Sequence, residues 1–337
     1  MKAADDARVR AQVCRFGDTS PVGRLRAAIG AIARRRWAIV VLQLAAVTTL
    51  LFFFGWALRG SWDEAEPRVR DADLVELGAS VSILGAYYLL FTVGWQRLLA
   101  AWGLRIPYFA ALQAEMASIL AKYVPGTVWV PAARVAALRR IGVRDTPLIL
   151  SSMVLEAGLS AIAGILVFFV SLATVGFSDA PVLPLLALAL IAIVGLHPRV
   201  FTPGARRLLR PMGGADLPPF PYRFQLALVA YYCFTWLVGG LALWFLLRSV
   251  GGDPAPSDIA YLGGVAAVSA IVAVLSLISP SGLGVREASM YGLLRAISPS
   301  GVALGATVLN RLTITIVEAV LLAVGAAAWR RRPGPGP

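Results

Sequence analysis

Long apolar segments without ionisable side chains constrain the fold of this chain more than any other feature. Residues 37–58 contain no Lys, Arg, Asp or Glu, and about 20 apolar residues are enough for a helix to cross the hydrocarbon core of a bilayer. Similar, predominantly apolar segments follow at residues 77–96, 147–177, 181–197, 225–247 and 302–329. The pattern predicts an all-α polytopic integral membrane protein.

The composition agrees with a membrane protein. Only 15% of the residues are charged, against about 25% in soluble domains. The net charge of +13 comes from basic residues that gather in short runs between the apolar segments, as in cytoplasmic loops. Part of this charge could attract anionic lipid head groups, and no nucleic-acid binding is expected.

The distribution of charge predicts the topology. A basic arm, residues 1–36, precedes the first apolar segment, and the following connection, residues 59–76, is acidic. The positive-inside rule then places the N-terminus in the cytoplasm. The tail, residues 330–337, begins with three arginines and is predicted to be cytoplasmic as well. The predicted location is the plasma (inner) membrane.

Two hydrophobic stretches are interrupted by prolines and glycines. They are residues 122–131, KYVPGTVWVP, and residues 279–287, SPSGLGVRE. Proline removes a backbone donor and glycine permits unusual torsions, and such backbone is tolerated in a bilayer only inside protein or beside a wet cavity. Paired interruptions in two halves of a chain indicate a transporter binding site. The predicted breaks are at Pro125, Gly126, Pro280, Gly282 and Gly284.

Each break alone could also be an ordinary loop, so the charges between the segments decide the interpretation. Arginines at 134–144 follow the first break directly, and a re-entrant hairpin keeps them cytoplasmic. We therefore predict six full spans and two re-entrant hairpins, eight membrane segments in an inverted repeat with halves 37–177 and 181–329. The alternative, in which both broken segments cross the membrane, stays open.

Ionisable residues inside predicted spans are costly and mark functional positions. Glu156 has Ser152 and Ser160 one turn to either side, which gives a polar stripe. Arg311 and Glu318 share a face of the last span but lie about 10 Å apart along it. Each is therefore expected to find its partner on another segment.

Arginine follows each break, as Arg134 and as Arg286. A guanidinium binds phosphate through two parallel hydrogen bonds and keeps its charge at depth, so both are candidates for binding a lipid phosphate. Alternatively, either arginine pairs with Glu156, Glu287 or Glu318 and locks the bundle.

Other polar and aromatic residues carry a weaker signal. Glu115, in the first predicted hairpin, is weaker evidence for a functional position, since it could lie close to the cytoplasmic surface. Lys122, Tyr123 and Trp129 are typical of interfacial anchors. Four tyrosines are interpreted as belt or packing residues: Tyr87, Tyr88, Tyr231 and Tyr232.

Residue patterns for catalysis or metal binding are not apparent. Cys14, Cys233 and His197 form neither a disulfide framework nor a metal-ligand spacing. No hydrolase triad, P-loop or dinucleotide fingerprint is found, so no enzymatic activity, metal or cofactor is expected.

The two broken motifs, with Arg134, Glu156 and the second motif's Arg286 and Glu287, resemble the lysylphosphatidylglycerol synthase transmembrane region, or flippase-like domain, family. The resemblance covers residues 37–329. In bifunctional members it implies a translocase of aminoacylated phosphatidylglycerol, followed by a cytosolic transferase domain. The chain ends at Pro337 without such a domain, so lysyl transfer is not expected.

The resemblance implies a translocase that moves an anionic phospholipid or a polyprenyl-phosphate-linked lipid through a central polar cavity. The alternative is a non-transporting membrane subunit that holds a glycosyltransferase or another envelope-biosynthesis enzyme, with the basic loop 198–224 as its docking surface. The predicted substrate-binding residues are Tyr123, Arg134, Glu156, Arg286, Glu287, Arg311 and Glu318.

Overall fold

The structure is a computed structural model that describes residues 62–121, 129–172, 194, 197–210, 221–275 and 284–330. Every regular element within these ranges is helical, as predicted. The arm 1–36, the first predicted span, nearly all of 181–197 and residues 331–337 lie outside the described residues. So do residues 122–128 and 279–283 of the two breaks, which include Tyr123, Pro125, Gly126, Pro280 and Gly282.

A short helical stretch at residues 62–70 precedes the helices that position the site. These are α1 (Leu74–Ala101), α2 (Tyr108–Ala121), α3 (Trp129–Arg139), α4 (Thr146–Leu172), α5 (Pro198–Leu209), α6 (Tyr222–Ser249), α7 (Ile259–Leu275), α8 (Val285–Leu294) and α9 (Ser300–Arg330). A 3₁₀ turn, Pro256–Asp258, leads directly into α7.

Local sequence signals explain several helix ends. Asp73 caps α1, because its carboxylate accepts a hydrogen bond from the backbone N–H of Val75 at 2.7 Å. Asp145 accepts one from Leu148 N–H at 3.0 Å in the first turn of α4. Between α3 and α4, Gly142 has a φ of +89°, which glycine adopts without strain. A short turn, residues 140–145, therefore connects these helices.

Five helical segments are long and apolar enough to cross a membrane. They are Leu74–Ala101, Thr146–Leu172, Tyr222–Ser249, Pro256–Leu275 and Ser300–Gly325. On α9, Leu312, Ile316 and Val320 are each more than half exposed, whereas Ile314 and Val317 are buried. An exposed apolar stripe of this kind is suited to contact with lipid, and the protein is accordingly a multi-pass membrane protein.

The helices beside the first break are short. α2 has 14 residues and α3 has 11, fewer than the roughly 20 that a full crossing needs, and the two helices pack against each other. The re-entrant hairpin at this break stays a prediction, with which the packing of α2 on α3 agrees. At the second break the helical segment Pro256–Leu275 is as long as a span, so the second hairpin and the inverted repeat stay predictions.

Helix α6 lies at the centre of the bundle and packs against α1, α4, α7 and α9. One apolar core joins Tyr232 and Trp236 of α6 to Leu159 and Ala163 of α4 and to Ala267 of α7. A second core joins α6 and α7 to α8 and α9. These contacts hold α8, and therefore the residues after the second break, against the middle of the bundle.

Cysteine labelling tests the predicted topology. In a variant with serine at the native positions Cys14 and Cys233, we expect a single cysteine at position 61 to react with an impermeant maleimide from outside. Cysteines at positions 140, 205 and 335 should react only after permeabilisation, because basic loops remain in the cytoplasm. Labelling of position 140 from outside would contradict the re-entrant first hairpin.

Candidate functional site

Arg134 on α3 is buried between two carboxylates. Its Nη2 lies 2.5 Å from Glu115 Oε2 on α2, and its Nη1 lies 2.6 Å from Glu156 Oε2 on α4. Arg134 is 7% exposed, Glu115 8% and Glu156 4%. The guanidinium thus joins α2 and α3 to the following helix, α4.

Neutral side chains complete the surroundings of this guanidinium. Its Cζ lies 4.4 Å from the centroid of the Trp95 ring on α1, close enough for a cation–π interaction. The indole N–H of Trp95 donates to Ser152 Oγ on α4 at 2.9 Å. Arg134 Nε donates to Ser118 Oγ at 3.4 Å. Four helices, α1 to α4, therefore meet at one cation.

The Glu115–Arg134–Glu156 cluster contains two acidic groups and one basic group. Oε1 of Glu115 and Oε1 of Glu156 are both buried and have no hydrogen-bond partner in the part of the chain that the structure describes. Buried polar atoms are normally paired. Two acceptors are thus left over beside a cation that already binds both acids.

A cavity of about 200 Å³ lies next to this cluster. Residues of α1, α2, α6, α7, α8 and α9 line it, and most of its wall is apolar. Its polar and aromatic lining includes Ser80, Tyr87, Tyr88, Thr92, Glu115, Trp236, Arg286 and Asn310. The arms of both predicted breaks therefore contribute to the wall of one central cavity.

Arg286 brings a positive charge to this cavity. It lies in the first turn of α8, two residues after Gly284, whose φ is +81°. No carboxylate of the described ranges forms an ion pair with Arg286, and its buried Nε has no hydrogen-bond partner there. Arg134 has two acidic partners, so the two arginines that follow the breaks differ in their environment.

Glu287 and Arg311 form a separate pair beside Arg286. Glu287 Oε2 accepts a hydrogen bond from Gly284 N–H at 2.7 Å, and its Oε1 lies 3.4 Å from Arg311 Nη1. The first contact caps α8, and the second joins α8 to α9. As expected from their distance along one helix, Arg311 takes its partner from another helix.

Glu318 points into the bundle at 4% exposure and accepts a hydrogen bond from the Tyr88 hydroxyl at 2.9 Å. The interpretation of Tyr88 as a belt or packing residue was therefore incomplete, because its hydroxyl joins α1 to a buried carboxylate of α9. Tyr232 is also fully buried, and its hydroxyl has no partner among the described residues.

Sequence reasoning gave Glu115 too little weight. It is buried and bound to Arg134. A signal for it was present, because Glu115 is the only ionisable residue of the apolar helix α2, and such a residue faces the protein interior. Sequence reasoning also missed Trp95 and Asn310 as part of the site, and their types alone gave no signal.

Long apolar helices around buried ionisable residues define this chain as a polytopic membrane protein with a polar centre. The model of the lysylphosphatidylglycerol synthase transmembrane region matches residues 40–322. The chain belongs to this family, and the resemblance stated from its motifs is confirmed. No curated protein matches the sequence.

Proposed function

We propose that the protein is a lipid translocase that moves an anionic lipid, either a phospholipid or a polyprenyl-phosphate-linked lipid, between the leaflets of the membrane. The observation that carries the proposal is Arg286, a cation at the central cavity without a carboxylate partner in the described chain. Membership of the lysylphosphatidylglycerol synthase transmembrane family agrees with a role in lipid chemistry or transport.

The partly buried guanidinium of Arg286 favours a compensating anion. Removing an ion from water costs several kcal/mol, even after the surroundings relax, and the two carboxylates beside Arg286 in the helix and at the cavity already bind other groups. Glu287 binds Arg311 and caps α8, and Glu115 binds Arg134. A lipid phosphate would supply the anion and would match the two parallel donors of arginine.

The size of the cavity suits a head group rather than a whole lipid. Its volume is about 200 Å³, below the roughly 300–1,000 Å³ typical of sites that enclose drug-sized ligands. A phosphate with part of its substituent fits such a volume, while the acyl or prenyl chains stay among the apolar helices. Tyr87 and Asn310 line the same cavity and offer further hydrogen-bonding groups to the head group.

Replacement of Arg286 tests this proposal. In liposomes with purified protein, Arg286→Lys should slow translocation of a labelled anionic lipid on the order of tenfold, the effect of about 1.4 kcal/mol. The reason is that lysine keeps the charge but loses the bidentate geometry. Arg286→Ala should slow it further. The rate is followed by loss of labelled phosphatidylglycerol, or of a labelled polyprenyl phosphate, from the outer leaflet.

Arg295→Lys is the matched control, because Arg295 ends the same helix and is exposed. It should translocate lipid at the wild-type rate, and a zwitterionic lipid should show no dependence on residue 286. Wild-type translocation of both anionic lipids by a correctly folded Arg286→Ala protein would contradict the role of the guanidinium.

A further inference from the structure

The Glu115–Arg134–Glu156 cluster has a feature that phosphate binding does not use. If both carboxylates are ionised, the cluster carries one negative charge more than its guanidinium compensates. An uncompensated buried charge is strongly unfavourable, and a buried acid takes up a proton instead. Two carboxylates that share one site cannot both ionise easily for the same reason.

We propose that Glu115 and Glu156 share one exchangeable proton, which enters and leaves through the central cavity. Both carboxylates bind the same guanidinium, on its Nη2 and its Nη1. Each also has a buried Oε1 without a partner among the described residues, which is the atom where a proton would be held. The protonated cluster has no net charge, and the deprotonated cluster has a charge of −1.

Glu115 gives the proton its route. It lines the cavity, whereas Glu156 lies behind it between Ser152 and Ser160 on α4. Uptake transfers a proton from water in the cavity to Oε1 of the pair, and release returns it to that water. No other bond forms or breaks.

The surrounding charges favour an exchange that responds to the ligand. Arg286 of α8 lines the same cavity, and Tyr87 of α1 does so as well. Tyr232 of α6 is fully buried in the neighbouring core. Glu318 of α9 is engaged by Tyr88. Among the described residues that line the cavity, Glu115 is the one that is acidic.

This arrangement links the proton to the proposed transport, and that link alone rests on the proposed function. An anionic head group beside Arg286 would be repelled by an ionised Glu115 pair and accepted by the neutral, protonated one. Proton uptake should therefore accompany binding of the anion, and proton release should accompany its departure.

Infrared spectroscopy tests the proton site without any transport. The purified wild-type protein at neutral pH should show a carbonyl band of protonated carboxyl that shifts in D₂O. Both Glu115→Gln and Glu156→Gln should lose this component, because each leaves one carboxylate matched to one guanidinium. The control Glu66→Gln changes an exposed carboxylate paired with Arg70 and should keep the band. Difference spectra between the wild type and each variant separate the band of the pair from any contribution of Glu318.

Three results overturn the shared proton. They are the absence of the band in the wild type, its persistence in both glutamine variants, and its loss in only one of two folded variants. The last result would assign the proton to one isolated acid.

A second measurement tests the link to transport. In liposomes, a pH difference across the membrane should change the wild-type rate of anionic lipid translocation at least several-fold and leave Glu115→Gln unaffected. Equal responses of these two proteins would overturn the link. If the wild type shows the band but moves no lipid, the shared proton stands and the proposed function fails. If the wild type moves lipid but shows no band, the proposed function stands and the shared proton fails.

Discussion

Replacing Arg134 by alanine is expected to lower the free energy of unfolding by about 3–5 kcal/mol, the usual cost of removing one partner from a buried ion pair. The cost arises because Glu115 and Glu156 remain buried at 8% and 4% exposure after their common cation is lost. Arg134→Ala also removes the contact with the Trp95 ring. The measurement is the thermal unfolding midpoint in detergent, followed by tryptophan fluorescence.

Arg248→Ala is the control for this prediction. Arg248 also combines one carboxylate, Glu76 at 2.7 Å, with an aromatic ring, Trp244 at 4.6 Å. Its side chain is 43% exposed, and exposed ion pairs contribute about 0–1 kcal/mol. A small shift for Arg248→Ala beside a large one for Arg134→Ala would attribute the effect to burial. Equal thermal unfolding midpoints for Arg134→Ala and the wild type would show that the cluster does not stabilise the bundle.

Replacement of all three ionisable side chains of the cluster should restore most of the lost stability. In the variant that combines Arg134→Met with Glu115→Leu and Glu156→Leu, no charge remains to be compensated and the side-chain volumes are nearly kept. Buried ion clusters replaced by apolar residues of similar volume are often as stable as the original. Recovery of stability without recovery of lipid translocation would separate the structural role of the cluster from its role in transport.

The sequence predicted those parts of the fold that depend on local pattern. Apolar length predicted α1, α4, α6 and α9, with ends within a few residues of those observed. The prolines and glycines of the first break predicted that no single straight helix runs through residues 122–131, and the described helices are separate there, α2 ending at Ala121 and α3 beginning at Trp129. These features follow from helix geometry and bilayer thickness, which operate along the chain.

Partners across helices could not be predicted in the same way. The sequence left open whether Arg134 binds phosphate or a carboxylate, and the structure provides two carboxylates from α2 and α4. It likewise indicated a buried Glu318 but not its donor, Tyr88, which is 230 residues away. Such pairs depend on the rotation and depth of each helix, and a one-dimensional pattern defines a face of a helix without defining what that face meets.

The contact between α6 and α7 yields the second large prediction, Gly240→Ala. A Cβ on Gly240 would lie 2.5 Å from the backbone nitrogen of Gly263 and would also overlap the Ile259 carbonyl oxygen. Small residues let membrane helices approach at this distance. Because both obstacles are backbone atoms, no side chain can rotate away, and α7 itself has to move.

We expect Gly240→Ala to cost about 3 kcal/mol, at the upper end of the range for over-packed interiors, and to lower the thermal midpoint accordingly. Gly85→Ala is the matched control on α1, where an added Cβ meets nothing within 4 Å and alanine is the better helix former by about 1 kcal/mol. It should leave the midpoint unchanged or raise it. Helices α6 and α7 line the same cavity as Arg286. A displacement of α7 should change the shape of this cavity and therefore also reduce lipid translocation. Equal midpoints for Gly240→Ala and Gly85→Ala would mean that the two helices do not pack at this glycine contact.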